Sequence, residues 1–269
     1  MDAVLQDSLT ALLAIGLLAG PPAAASVALH AIERRMARAL TSLAGRRAVL
    51  LTGWLGVPVH ELSHVLMCLV FRHRIERVAL FRPDPRTGTL GYVDHSWDRR
   101  SPWQVVGAFF VGIAPLLGGS AAILGLLGLL VPGALVLPAA PAIGLLRDGA
   151  WAAVAADLAR PVEAATLAVA ERALSGDWRP LAFLYAAFCI GSHISPSPRD
   201  LRGGLVGALA CFAALFLLGF AAAAAGTADA MPRAAIGAGV AVGAVLLFVA
   251  ALNLPLAICV SLLAGLRRR

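Results

Sequence analysis

Long apolar runs, separated by short Arg-bearing or Pro-broken segments, dominate the chain. The first run, about Leu9–Ala31, could cross a hydrocarbon layer about 30 Å thick at about 1.5 Å per residue. Within it, Gly20-Pro21-Pro22 predicts a kink or an interruption. An Arg-rich connector, Glu33–Arg47, leads to the second run, about Ala48–Phe71. Residues 72–104 are polar, and two β-prone stretches, Arg77–Phe81 and Thr89–Val93, flank Pro83–Gly88 there, which reads as a β-hairpin. A third span is expected over about Val105–Val131. Residues 132–180 are a mixed connector, apolar but Pro-interrupted over Pro132–Leu146 and amphipathic over Asp148–Arg172, as an interfacial helix would be. The fourth run, Leu181–Ile194, breaks at Ser195–Asp200; a fifth follows over about Gly203–Ala225, and a sixth over about Ala235–Leu266, interrupted at Asn253 and Pro255. The expected fold is an all-α integral membrane protein of about six transmembrane helices with a small membrane-associated β-hairpin, one polytopic domain over residues 1–269.

Composition strengthens this. Of 269 residues, 60% are hydrophobic and 14% charged, against about 25% charged in an ordinary soluble domain. The mean hydropathy is +0.85. The net charge is +7, and the basic residues are all Arg, clustered beside apolar runs. That placement fits lipid headgroups and topology control, and no basic stripe interleaved with aromatics points to nucleic acid. Abundant Ala, Gly and Arg without Lys fits a GC-rich bacterial genome, so the expected location is the inner (cytoplasmic) membrane, multi-pass. With six spans both termini share a side, and Arg267–Arg269 assigns that side to the cytoplasm. The connector Glu33–Arg47 then falls on the opposite side, so it lies along the interface or the first segment does not fully cross. The N-terminus is acidic and the first run is too long for a cleavable signal.

The second run has one polar interruption, His60-Glu61-Leu62-Ser63-His64. In a helix, positions i and i+4 share a face, so His60 and His64 point the same way one turn apart. Two neutral imidazoles so placed supply two corners of a tetrahedral Zn²⁺ site, and Glu61 can act as base toward a water in the open corner. The plainer alternative is a pair of histidines bonded to neighbouring helices beside a protonated Glu61. Ionisable groups inside an apolar span are costly unless paired or metal-bound, which favours the metal.

A third protein ligand is needed. Asp200 is the acidic residue best placed for it, in the Pro-broken segment between the fourth and fifth runs. Its simpler reading is a helix N-cap in a surface loop. His193, on the same segment, is the rival ligand.

These features together resemble the site-2 protease family of intramembrane metalloproteases: the His60–His64 motif in a span, the hairpin after it, Gly112-Ile113-Ala114-Pro115, and the distal Pro198-Arg199-Asp200. The resemblance covers roughly residues 48–120 and 190–205. It implies that His60, His64 and Asp200 hold zinc and that Glu61 is the catalytic base. It also implies that the hairpin receives a transmembrane protein substrate as an added strand. Departures mark a divergent member: Leu201 follows Asp200 where the family has Gly, Ser192 stands in place of an upstream Asn, and no PDZ-like insert is present. The function expected is a zinc-dependent intramembrane endopeptidase cleaving membrane-embedded or membrane-proximal proteins. The alternative is a non-catalytic zinc-stabilised scaffold or protease-like regulator.

Other residues receive plainer readings. Cys68, Cys189, Cys211 and Cys259 lie in apolar runs without C-x-x-C spacing and read as small membrane-helix residues. His30 and His73 read as interfacial, Asp94-His95 as a solvated hairpin end, and Trp54, Trp97, Trp103 and Trp178 as an interfacial belt. Pro58 is expected to bend the helix near the motif.

Overall fold

The computed structural model describes residues 2–45, 47–134, 151–202, 204–224 and 230–267. Within them the chain is mostly helical, with one two-stranded antiparallel sheet. The elements in order are α1 (Asp2–Ala44), α2 (Arg47–Val70), β1 (Arg74–Ala79), β2 (Tyr92–Ser96) and α3 (Pro102–Leu130), then α4 (Trp151–Leu174), α5 (Arg179–Gly191), α6 (Pro198–Arg202), α7 (Leu205–Ala224) and α8 (Ala230–Leu266).

Three helices among the described residues are long and apolar enough to cross a membrane: α2, α3 and the Gly239–Leu266 part of α8. The hydropathy pattern predicts six. The difference is partly one of length. The fourth run forms α5 with only 13 residues, about 20 Å of helix, and the described apolar part of α7 is Leu205–Leu218.

Neither expected interruption forms. Gly20-Pro21-Pro22 neither interrupts α1 nor releases an Arg-rich connector, because α1 continues as one 43-residue helix through Ala44. Two prolines remove two N–H donors from a long helix, and packing of α1 along α8 outweighs that loss. The Arg267 guanidinium donates to the Leu43 carbonyl, so the C-terminal ends of α1 and α8 lie together. α8 likewise continues through Asn253 and Pro255; the buried Asn253 amide turns back on its own helix and donates to the Val249 carbonyl at 2.8 Å. The Asp148–Arg172 expectation corresponds to α4, but residues 135–150 lie outside the described residues, as do Arg268 and Arg269 of the terminal Arg triplet.

The hairpin forms, with strands displaced outward from those expected. Residues 80–91 make a wide loop stapled by Asp84, whose carboxylate accepts from the Arg86 N–H and the Thr87 hydroxyl. Gly88 takes φ +76°, where a side chain would be strained. Register is set by a bulge between Ile75 and Arg77. Simple alternation after the Ile75–His95 pair would set Glu76 against Asp94. The bulge brings Arg77 opposite instead, with Arg77 Nη2 2.5 Å from Asp94 Oδ2.

α2 inverts the amphipathicity of a soluble helix. Leu51, Leu62, Leu66 and Leu69 are exposed, whereas Val57, Glu61, His64 and Cys68 are buried at helical spacing. In lipid the apolar face turns outward and the chemistry turns inward. Behind that inner face, Leu29 of α1, Ile123 and Leu127 of α3, Phe183 and Ile190 of α5, and Leu246 of α8 form the main buried cluster.

Candidate metal centre

Three elements deliver the site. His60 and His64 come from the middle of α2, and Asp200 from the first turn of α6. The two Nε2 atoms are 3.2 Å apart. Asp200 Oδ2 lies 3.8 Å from His60 Nε2, and Oδ1 lies 3.7 Å from His64 Nε2. A tetrahedral zinc with bonds of about 2.0–2.2 Å has edges of about 3.3–3.6 Å, so these spacings fit one shared cation.

The backbone fixes which nitrogen of each ring is free. His60 Nδ1 lies 2.6 Å from the His193 carbonyl, and His64 Nδ1 lies 2.8 Å from the Val111 carbonyl. A carbonyl only accepts, so each neutral ring carries its proton on Nδ1 and donates it there. Both Nε2 lone pairs then face each other and the Asp200 carboxylate, with no proton to share between the rings. Unrelieved, that arrangement is repulsive; a cation between them relieves it. Such outer hydrogen bonds are what orients ligating imidazoles in metal sites.

Sequence explains both carbonyls. Val111 would bond the N–H of residue 115 in a regular helix, but Pro115 has none, so α3 offers that carbonyl to His64. His193 follows the end of α5, where terminal carbonyls lack helical partners. Its ring turns away: His193 Nε2 lies 3.2 Å from the Thr52 hydroxyl. The rival ligand therefore enters through its backbone, and its ring is not in the cluster with His60, His64 and Asp200.

Asp200 is held by a reciprocal cap. Ser197 N–H donates to Asp200 Oδ2 at 2.6 Å, and Asp200 N–H lies 3.3 Å from Ser197 Oγ. Ser197 is thus the N-cap and Asp200 stands three positions on, inside the first turn of α6, so the N-cap role expected for Asp200 falls to Ser197. Gly112 of α3 allows this approach, since a Cβ there would sit 2.5 Å from the Asp200 carbonyl oxygen.

His60, Glu61, His64 and Asp200 line one cavity of about 850 Å³, roofed by residues 87–95 of the hairpin. Glu61 is 7% exposed. Gly91 lets the hairpin backbone close over it, because a Cβ at that position would lie 2.9 Å from Glu61 Cγ. Glu33 also reaches this cavity from α1, and its carboxylate accepts the Ser195 N–H at 3.1 Å, tying down the segment before Asp200. Nothing local in the sequence around Glu33 marks that role.

Some plainer readings change. His73 is buried rather than interfacial, and His95 faces it across 3.1 Å between Nδ1 atoms. Burial, and after it the neighbouring His73, holds the His95 imidazole below the usual histidine pKa. Asp94, expected at a solvated hairpin end, is half-exposed, pairs with Arg77 and lines the cavity. Trp54, Trp103 and Trp178 are exposed, whereas Trp97 stacks on His73 and packs at a tilt against His95, each with ring centroids 5.6 Å apart.

No family model matches the chain, and neither curated proteins nor solved structures yield a match.

Proposed function

We propose that this protein is a zinc-dependent intramembrane endopeptidase, a divergent relative of the site-2 proteases, that cleaves membrane-embedded or membrane-proximal protein substrates. The observation that carries the reading is the convergence of two Nε2 lone pairs and a carboxylate beside a buried Glu61 in a cavity at the middle of a membrane-length helix. His60, His64 and Asp200 hold the metal in this reading. Bound zinc supplies Lewis acidity, which acidifies water and polarises a peptide carbonyl.

The chain's own residues do the rest. The Glu61 carboxylate takes a proton from the attacking water and passes it to the departing amine nitrogen. Its burial beneath Gly91 keeps bulk water from competing for that proton. The His193 and Val111 carbonyls keep both imidazoles aimed through Nε2. A helical peptide bond is shielded from attack, so the substrate must unwind. Among the described residues the two-stranded sheet leaves an edge of each strand unpaired, and residues 92–95 of β2 line the cavity, so an extended substrate segment can add to that edge. In this reading the chain is a multi-pass protein of a bacterial inner membrane, with the shorter apolar helices α5 and α7 packed around the site beside α2 and α3.

Chelator-sensitive cleavage in proteoliposomes tests this. Purified protein should cut a panel of transmembrane peptides, lose the activity with 1,10-phenanthroline, and regain it on adding Zn²⁺. Cleavage that persists after verified zinc removal would refute it.

A further inference from the structure

One helical turn beyond His64 on the same face of α2 lies Cys68, a fully buried thiol with no hydrogen-bond partner among the described residues. The end of α2 turns a second side chain toward it. Arg72 takes φ +57°, its N–H bonds to the Leu69 carbonyl at 3.2 Å, and the His73 N–H bonds to the Cys68 carbonyl at 2.8 Å. This is a Schellman termination, whose geometry brings the residue after the left-handed position against the one five places earlier. In most helices that contact is apolar. Here it joins Cys68 and His73.

α3 and β2 complete the group. His73 Nε2 donates to the Gln104 carbonyl at 2.8 Å, so the neutral ring leaves its Nδ1 lone pair free. That Nδ1 is 3.1 Å from Nδ1 of His95 on β2. Cys68 Sγ and a ring nitrogen of each histidine all lie within 4.8 Å of one another. A hydrogen bond between the two rings would explain their approach but would leave the thiol idle between them. One cation explains all three groups.

We infer that Cys68, His73 and His95 form a second metal site, separate from His60, His64 and Asp200, that binds a thiophilic divalent cation of the Zn²⁺ type. One thiolate with two imidazoles is a ligand set for zinc and not for the oxygen-seeking Mg²⁺ or Ca²⁺. The Gln104 carbonyl is the outer partner that orients the His73 ring. Binding displaces the thiol proton to solvent and closes the chain between His73 and His95 into a metal-clamped loop. That clamp fixes β2, and with it the cavity roof, to the end of α2. The inference does not rest on peptidase activity.

Cobalt substitution of the purified full-length protein, kept reduced in detergent, tests it. The His60–His64–Asp200 group contains no sulfur, so a near-ultraviolet thiolate-to-cobalt charge-transfer band can come only from a cysteine site. The wild type should bind about two cobalt ions per chain and show the band. Cys68→Ser should lose the band and about one cobalt, whereas the double variant His60→Ala, His64→Ala should lose about one cobalt and keep the band. A wild-type spectrum without the band overturns the inference whether or not any variant folds, and so does a band that survives Cys68→Ser. Unchanged cobalt content in the double variant, with the band intact, would instead count against the catalytic centre alone.

Discussion

Replacing Gly112 with Ala tests whether the approach of α6 to α3 sets the candidate metal site. A Cβ at position 112 would lie 2.5 Å from the Asp200 carbonyl oxygen, and ordinary contact begins near 3.4 Å. The neighbour is backbone, which cannot swing aside as a flexible side chain can, so the α6 segment must retreat by about 0.9 Å. Asp200 oxygens already stand 3.7 and 3.8 Å from the two Nε2 atoms. Two ligand atoms that each bond one zinc at about 2.0–2.2 Å cannot be more than about 4.4 Å apart. A retreat of that size directed away from α2 stretches these spacings to about 4.6–4.7 Å and takes the carboxylate out of the set. The expected result is a zinc affinity lower by about 100-fold, equivalent to about 2.7 kcal/mol, measured by competition with a calibrated chelator. Gly125→Ala is the matched control: it lies on the same helix with no atom within 4 Å of a built Cβ, and it should bind zinc like the wild type. If Gly112→Ala also binds zinc like the wild type, the reasoning from packing to ligand placement fails.

Two further substitutions probe the supporting shell and the helix end. Pro115→Ala restores an N–H that competes for the Val111 carbonyl, so zinc should bind about tenfold more weakly while the metal-free protein melts no lower than the wild type; unchanged affinity would remove Pro115 from the account. Arg72→Gly relieves a left-handed backbone at an exposed residue, which should stabilise the protein by about 1 kcal/mol, or roughly 2–4 °C in melting temperature; a lower melting temperature would show that the Arg72 side chain outweighs the strain.

How much of this was legible in the sequence depended on whether the signal was local. The pairing of His60 and His64 follows from helical periodicity, and their apolar setting distinguishes them from a surface pair. Asp200 was readable as a candidate because it is the acidic residue best placed at the Pro-broken junction between apolar runs, with a helix cap as the competing local reading. The choice between Asp200 and His193 was not readable. It depends on the His193 ring turning to Thr52 while its carbonyl turns to His60, and both contacts bridge distant parts of the chain. Helix ends were read least well. Proline counts against a helix in isolation, yet α1 and α8 pass through Pro21, Pro22 and Pro255 because packing along a neighbour outweighs a few missing donors. The Cys68–His73–His95 group was invisible for a related reason. Its first pair depends on a left-handed turn at an Arg, where glycine would have been the signal, and its third member arrives on a strand whose register is shifted by a bulge.

The central claim is that Glu61 moves the proton in a zinc-dependent peptide hydrolysis, and its most direct test is Glu61→Gln measured for zinc content and cleavage in the same sample. Gln keeps the size and hydrogen-bonding capacity of the side chain but cannot take the proton, and Glu61 is not among the residues proposed to hold the metal. Zinc content should equal that of the wild type while cleavage of transmembrane peptides falls by at least about 100-fold. Cleavage at the wild-type rate in the zinc-loaded variant would contradict the claim.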